Sequence, residues 1–139
     1  MDVKLTWKQD MAFSGTAESG HELTLDSSEG SGGHNTGFRP MELMALGTAG
    51  CSSMDVVSIL RKKKVPFTAF ECKVHVESVK DQHPHVFELM EFEYIVTGKE
   101  INLADVERAV QLSQDKYCQG IAMMRKTAEI RSKVTIIEE

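Results

Sequence analysis

The sequence predicts an α+β fold with six strands and three helices in the order β-β-β-α-β-β-α-α-β, in which the third helix is short. Two observations predict this fold. Several segments alternate between apolar and polar residues, which is the period-2 pattern of a strand with one buried face. Between the third and the fourth of these segments lies one long, mostly apolar stretch that is typical of a buried helix.

Three short strands are predicted before the long helix. The first carries alternate apolar residues from Val3 to Trp7, and residues 13–17 and 22–25 form the next two. Residues 27–37 are rich in Gly and Ser and have no periodicity, which indicates a loop. A loop of this length inside a compact domain is commonly functional or mobile.

The long helix is predicted from Met41 to about Lys64. It follows Pro40, which fits the first turn of a helix because its missing N–H is not needed there. Its apolar residues leave almost no polar stripe, so we expect it to be central and buried. Gly47 and Gly50 each cost roughly 1 kcal/mol relative to Ala in a helix, which indicates that another backbone packs close to them.

The second half is predicted to contain a hairpin, two helices and a final strand. Residues 70–76 and 92–96 alternate in polarity and are most simply paired as a hairpin. Asn102 is expected to cap a helix that carries apolar residues at helical spacing. A short helix is predicted at 119–126, and residues 130–136 have the pattern of the last strand.

Composition limits the class of protein. A length of 139 residues suggests a single domain, residues 1–139, because domains commonly have ~100–150 residues. The formal net charge of -5 argues against a nucleic-acid partner, which attracts basic patches. No continuous apolar run reaches the ~20 residues of a membrane helix, and the N-terminus lacks the apolar region of a signal peptide. We therefore expect a cytoplasmic protein without a membrane partner.

Three cysteines, Cys51, Cys72 and Cys118, are the candidates for chemistry. An odd number in a chain without a signal peptide argues against a secreted disulfide framework. Cys51 lies within the long helix among small residues, which leave space around its sulfur; the alternative is a small residue of the core. Cys72 falls on the apolar face of a strand and is assigned to the core.

Cys118, at the junction of the two later helices, is the candidate partner of Cys51. The thiolate is the reactive form of Cys, and a sulfenic acid formed by oxidation is commonly captured by a second Cys as a disulfide. If the later helices pack on the long helix, Cys118 is placed for this capture.

Other reactive side chains do not form a recognisable site. His83 and His85 flank a proline at the hairpin and are assigned to a solvated turn rather than to a metal site. Ser52 and Ser53 are not part of a Gly-x-Ser-x-Gly motif, which argues against a hydrolase. We expect neither a metal nor a bound cofactor.

Two segments of the chain resemble the OsmC/Ohr family, and within it the YhfA-like branch. Residues 37–60, GFRPMELMALGTAGCSSMDVVSIL, resemble the helix that carries the first Cys of the family. Residues 116–130 resemble the segment that carries the second Cys. The predicted order of strands and helices also matches, so the resemblance extends over essentially the whole chain.

The resemblance implies an intertwined homodimer in which the long helices are buried at the centre. It also implies a thiol-dependent peroxidase acting on organic hydroperoxides. Cys51 would attack the peroxide, release an alcohol and become a sulfenic acid, and Cys118 would condense with it to a disulfide. An external dithiol reductant, such as a lipoylated protein, would then reduce the disulfide.

The sequence departs from the peroxidase pattern of the family at two places. In peroxidase-active members a Glu directly follows the Pro that opens the helix, whereas here Met41 does and Glu42 comes next, turned by ~100° around the axis. Those members also use an Arg from the N-terminal strands or loop, and residues 1–38 contain no Arg. Arg39 and Glu42 are therefore the residues predicted to activate or position Cys51.

Three functions are compatible with the sequence. The first is a peroxidase or reductase that uses both thiols, with a substrate pocket lined by Met41, Met44 and Met54, since Met adapts to irregular apolar groups. For these Met residues the alternative is a place in the dimer core. The second function is a small-molecule-binding or stress-related protein of the same fold with little peroxidase activity. The third is a partner-binding dimer with two structural cysteines.

Overall fold

The computed structural model describes all 139 residues. The chain divides into two compact units, Met1–Met44 and Ala45–Glu139. Together they contain six strands and three α-helices in the predicted order, so the predicted α+β architecture is confirmed. The assignment of a single domain stays a prediction.

The first unit contains a three-stranded antiparallel sheet. Its strands are β1 (Val3–Gln9), β2 (Ala12–Ala17) and β3 (Glu22–Leu25), which pair in the order β1-β2-β3. The Gly- and Ser-rich segment that follows is a loop with one short 3-10 turn, Glu29–Ser31. The strands and the loop predicted for this region are thus confirmed.

One face of this first sheet is apolar and open. Directly paired residues of an antiparallel sheet lie on the same face, and the pairing places together Val3, Leu5, Trp7, Phe13, Gly15, Ala17, Leu23 and Leu25. Val3 is 74% exposed and Trp7 is 63% exposed. A large apolar patch of this kind is rare on a monomer. Much of this apolar face is therefore exposed to solvent in the single chain.

Helix α1, Pro40–Lys62, contains the boundary between the two units. Within the single chain its buried residues form one stripe of Thr48, Ala49, Ser52, Val56 and Leu60. Burial of its other faces at the centre of a dimer stays a prediction. Met54 is 77% exposed. A Cβ built on Gly47 or Gly50 meets no atom within 4 Å outside its own helix. The close backbone expected at these glycines is therefore not supplied by this chain.

By length and composition alone, α1 could cross a membrane, with a mean hydropathy of 1.5 and 22% of its apolar window buried in the chain. The expectation that no segment reaches this length is corrected in that respect. The core helix of a soluble protein can have the same length and composition, however. Helix α1 contributes Val56 and Leu60 to the core of the second unit. Such packing favours a core helix, and no membrane partner is indicated.

The second unit is built on the sheet β4-β5-β6. Strands β4 (Phe67–Ser78) and β5 (Phe87–Gly98) pair antiparallel, which confirms the predicted hairpin. Strand β6 (Glu129–Glu138) pairs parallel with β5. The inner face of β5 places Phe92 and Tyr94 in the core, where both are almost completely buried.

The parallel pairing requires a crossover, and this crossover carries the second predicted thiol. Helix α2 (Leu103–Leu112) begins after Asn102, whose side chain accepts two backbone N–H groups of the first turn and confirms the predicted cap. A π-helical turn, Ser113–Tyr117, extends α2. Cys118 follows, and helix α3 (Gln119–Met124) begins directly after it.

Candidate thiol site

The second unit brings Cys51 and Cys118 into one site. Cys51 is half-buried on α1, and Cys118, which is 3% exposed, occupies the position before the first residue of α3. Both are free thiols, and they lie close enough together for Cys51 to raise the pKa of Cys118. The structure thus places the two predicted residues together, while their chemical roles stay predictions.

The close packing of α3 on α1 produces this proximity. A Cβ built on Gly120 would lie 3.2 Å from the Cα of Thr48, so a side chain at this position would push the two helices apart. Gln119 also faces α1, and its Oε1 accepts a hydrogen bond of 3.9 Å from the Sγ of Cys51. Neither Gln119 nor Gly120 was predicted as a site residue.

The Cys118 thiol retains its proton at neutral pH. Burial, above all, raises the pKa of Cys118 to about 11, although the backbone N–H of Ile121 donates to its Sγ at 3.3 Å and acts in the opposite direction. The neighbouring Cys51 also raises the pKa of Cys118, because a charge on one sulfur disfavours a charge on the other. Cys118 is therefore a thiol, rather than a thiolate, in the resting protein.

A buried chain of hydroxyl groups begins at the residue next to Cys51. Tyr94, Ser52 and Ser113 are 0% exposed. The Oγ of Ser52 lies 2.6 Å from the Oη of Tyr94 and 2.9 Å from the Oγ of Ser113. The Ser113 hydroxyl donates to Asp55 Oδ2 at 3.0 Å, and Gln114 Nε2 donates to Tyr94 Oη at 3.2 Å. An amide nitrogen only donates and a carboxylate only accepts. Tyr94 therefore donates to Ser52, Ser52 to Ser113, and Ser113 to Asp55.

Tyr94 remains a neutral phenol within this chain. Burial raises the pKa of Tyr94 to about 12, although its hydrogen bonds with Ser52 and Gln114 favour the charged form. A buried Tyr hydroxyl ordinarily requires a polar partner. The partners of Tyr94 come from α1 and from the π-helical turn, so the hydroxyl chain joins three elements of the second unit.

The residues of the hydroxyl chain were missed by the sequence analysis. Two of them gave a signal: Ser52 lies on the buried stripe of α1, and Tyr94 lies on the apolar face of a strand. Ser113 gave none, because its position depends on the π-helical turn. Turns of this kind are rare and often occur at functional sites.

Arg39 and Glu42 make their contacts inside the first unit. The carboxylate of Glu42 accepts the backbone N–H of Arg39 at 2.8 Å, which is the backward bond of a capping box. The guanidinium of Arg39 donates to Asn35 Oδ1 at 3.0 Å and to the carbonyl of Gly37 at 3.1 Å. The predicted activating pair therefore stabilises the start of α1 and the preceding loop.

The three Met residues predicted to line a substrate pocket are all exposed. Met41 and Met44, in the first unit, are 47% and 48% exposed. Met54, in the second unit, borders a shallow groove of about 460 Å³. Its other lining residues are Ser53, Val57, Ser58, Arg61 and Lys62. Cys51 does not line this groove, so the predicted grouping of Met54 around the thiol is not found in the single chain.

The remaining candidates, Cys72, His83 and His85, make contacts of the kind that stabilise the fold. Cys72 packs against the core, as predicted, and burial raises the pKa of its thiol. The rings of His83 and His85 lie 4.2 Å apart, and His85 Nδ1 bonds the carbonyl of Val79. No group of three or more His, Cys, Asp or Glu side chains is arranged to hold a metal ion.

Asp26 holds the Gly-rich loop of the first unit together. It is buried, and its carboxylate accepts backbone N–H groups of Ser27, His34 and Thr36 at 2.7, 3.0 and 3.1 Å. The hydroxyl of Thr36 donates to it at 2.7 Å. These bonds, first of all that of the Thr36 hydroxyl, hold the pKa of Asp26 well below its ordinary value.

The substitution Asp26→Asn is expected to lower the melting temperature at neutral pH, because an amide replaces one accepting oxygen by a donor. Since the pKa of Asp26 is lowered by folding, its contribution is complete above the unfolded pKa of ~4 and is lost as the pH falls below it. Thermal melts at pH 7 and below pH 4 should thus show a difference that shrinks in acid. The control is Asp10→Asn, at an exposed position paired with His34; equal melting temperatures of both variants at pH 7 would contradict this account.

Comparison with known proteins agrees with the resemblance seen in the sequence. The model of the OsmC-like protein family matches residues 33–133. Protein YhfA of Escherichia coli K12 is 32% identical over 137 residues, covering 99% of this chain and 98% of that protein. A structure of a hypothetical protein from Aquifex aeolicus is 27% identical, with a TM-score of 0.86 and coverage of 99% of this chain and 96% of that one.

A further structure, an organic hydroperoxide resistance protein OsmC from Legionella pneumophila, shares the fold. It is 15% identical, with a TM-score of 0.71 and coverage of 96% of this chain and 95% of that one. The match to the family model and the identity to YhfA both extend over most of the chain. The chain therefore belongs to the OsmC-like protein family.

Proposed function

We propose that the chain reduces organic hydroperoxides, with Cys51 as the attacking thiol and Cys118 as the resolving thiol. The observation that carries the proposal is the pair of free thiols in one site, where α3 packs on α1 beside Cys51. The substrate class is supported by the hydroperoxide resistance protein of the same fold. We further propose that the protein acts in the cytoplasm, without a bound cofactor.

The proposed reaction has three steps. The Cys51 thiolate attacks a peroxide oxygen; an S–O bond forms, the O–O bond breaks, and the leaving alkoxide takes a proton to become an alcohol. Cys118 then loses its proton and attacks the Cys51 sulfur; an S–S bond forms, the S–O bond breaks, and hydroxide leaves as water. An external dithiol finally reduces the disulfide by thiol exchange and is itself oxidised.

The unequal surroundings of the two thiols support this division of roles. Cys51 is the more exposed sulfur, which suits the thiol that meets the substrate. Cys118 is buried and protonated at rest, so it is a poor first nucleophile. A thiol that loses its proton only during the second step is suited to resolve the sulfenic acid.

The test follows the consumption of tert-butyl hydroperoxide in the presence of dihydrolipoamide. Wild type is expected to turn over, and Cys51→Ser is expected to remain at the background rate. The matched control is Cys72→Ser, which replaces the third thiol, one that packs against the core. Background consumption by wild type, or equal consumption by Cys51→Ser, would refute the proposal.

A second function is favoured by the local contacts of Arg39 and Glu42. If both side chains serve only the loop and the helix start, Cys51 lacks an activating partner from this pair. The protein would then be a small-molecule-binding or stress-related member of the family with little peroxidase activity. Rapid formation of a sulfenic acid on Cys51 at substoichiometric hydroperoxide would exclude this alternative.

We also propose that two chains form the homodimer that the resemblance implies. The apolar face of the first sheet and the open face of α1 at Gly47, Gly50 and Met54 are the surfaces available for a second copy.

Sedimentation equilibrium at micromolar concentration is expected to give twice the mass of the 15.5 kDa chain. The substitution Met54→Glu is expected to shift the equilibrium toward the monomer, because it places a charge on the exposed apolar face of α1. Lys4→Glu, on the polar face of the first sheet, is the matched control and should leave the dimer intact. A monomeric wild type would contradict the proposal.

A further inference from the structure

We propose that Ser113 is a positioning residue that holds Cys118 within reach of Cys51. The proposal rests on the proposed function, since it concerns the step in which Cys118 captures the oxidised Cys51. The hydrogen bonds of the Ser113 hydroxyl go to Ser52 and Asp55 rather than to a sulfur. Its side chain binds the helix that carries one thiol, and its carbonyl binds the backbone of the other.

The side chain of Ser113 is attached to α1 at three points. Its Oγ lies 2.9 Å from the Oγ of Ser52, 3.0 Å from Asp55 Oδ2 and 3.4 Å from the carbonyl oxygen of Ser52. Ser52 directly follows Cys51 in the chain. Because Ser113 is 0% exposed, water does not replace these bonds when one is lost.

The backbone of Ser113 is attached to Cys118. The N–H of Cys118 donates to the carbonyl of Ser113 at 2.8 Å, which closes the π-helical turn over five residues. An ordinary α-helical bond would instead join residues four apart. The extra residue of the π-helical turn therefore determines the position of Cys118 relative to α2. The bond that closes this turn is accepted by the carbonyl of Ser113, whose side chain is hydrogen-bonded to α1.

One residue thus joins the two thiol-bearing segments through two different groups. The linkage runs from the α1 residues Ser52 and Asp55, through the Ser113 hydroxyl and carbonyl, to the amide of Cys118. Cys118 is held on its other side by the Ile121 N–H. Loss of the Ser113 hydroxyl should free the turn to move relative to α1, and misplacement of a reacting group by about 1 Å can slow a reaction by ~100-fold.

We expect Ser113→Ala to slow closure of the Cys51–Cys118 disulfide by at least about 10-fold. The first oxidation of Cys51 should change by less than about 2-fold, because the Ser113 hydroxyl is hydrogen-bonded to Ser52 and Asp55 and not to that sulfur. A sulfenic acid that reacts with dimedone should consequently accumulate in the variant. This division between two steps is not expected from a mere loss of stability.

The experiment measures closure with two oxidants. The first is tert-butyl hydroperoxide. The second is diamide: the Cys51 thiolate adds to one nitrogen of its N=N bond and the other takes a proton, then the Cys118 thiolate attacks the Cys51 sulfur, the S–N bond breaks, and the hydrazine leaves with a second proton. Diamide tests closure without requiring peroxidase activity.

Two variants and one control are compared with wild type. Asp55→Asn removes the charged acceptor of the Ser113 hydroxyl while keeping its shape, and it decides the question if Ser113→Ala does not fold. Asn102→Ala removes the cap of α2, at a cost of about 1 kcal/mol, without touching the site. It reports the effect of lower stability alone.

Slower closure in Ser113→Ala and Asp55→Asn with either oxidant, together with wild-type closure in Asn102→Ala, supports the inference. Wild-type closure in Ser113→Ala overturns it, and so does equal slowing in Asn102→Ala. If wild type closes with diamide but does not react with hydroperoxide, the proposed function fails, and the diamide rates still decide the role of Ser113.

Discussion

Replacing Cys118 by Ser is expected to leave the first oxidation of Cys51 intact and to abolish disulfide formation. The reason is the division between an accessible sulfur on α1 and a buried, protonated sulfur before α3. One equivalent of hydroperoxide should remove two free thiols from wild type and one from Cys118→Ser. The removed thiol should appear as a dimedone adduct on Cys51 by mass spectrometry.

Turnover with a protein dithiol as reductant should fall by roughly 100-fold or more in Cys118→Ser, in the range seen when a residue of a catalytic unit is removed. Cys51→Ser should lose no thiol to hydroperoxide at all. Cys72→Ser is the control, because Cys72 packs against the core and lies outside the pair. Loss of two thiols from Cys118→Ser, or wild-type turnover, would show that Cys118 is not the resolving thiol.

The order of strands and helices could be predicted because the signals are local. The alternation from Val3 to Trp7 and the cap at Asn102 each depend on a few neighbouring residues, and both were found in the structure. The start of α1 carried a further local signal: Glu42 lies three residues after Arg39, the spacing of a capping box. A structural role at the start of α1 therefore accounts for Arg39 and Glu42 as well as the hypothesis that they activate Cys51 does.

The thiol site could be predicted only in part because its other residues meet over long distances in the sequence. Ser52 and Ser113 are joined by a hydrogen bond across 61 residues, and Gln119 meets Cys51 across 68. The π-helical turn that positions Cys118 has no characteristic amino-acid pattern by which it could be predicted. Likewise, the apolar surface of α1 predicts that the helix is buried, but an apolar pattern does not show whether the same chain or a second chain buries it.

The substitution Gly120→Val is expected to destabilise the second unit and to separate its two thiols. A Cβ at this position would lie 3.2 Å from Thr48 Cα and 3.4 Å from Thr48 Cγ2, and one of these atoms is backbone. Branched atoms beyond the Cβ worsen the overlap, so α3 must move away from α1. Overpacking of this kind costs about 1–3 kcal/mol, measured as the change in the free energy of unfolding in urea.

The same movement should slow disulfide closure, because Cys118 directly precedes α3 and moves with it. Ala122→Val is the matched control: it adds a branched side chain to the same helix at an exposed position. It should cost only the small difference in helix propensity, roughly 0.5 kcal/mol, and leave closure unchanged. If Gly120→Val forms the disulfide at the wild-type rate with diamide, the approach of α3 to α1 at Thr48 is not what brings the thiols together. Their proximity would then depend on the linkage through Ser113 alone.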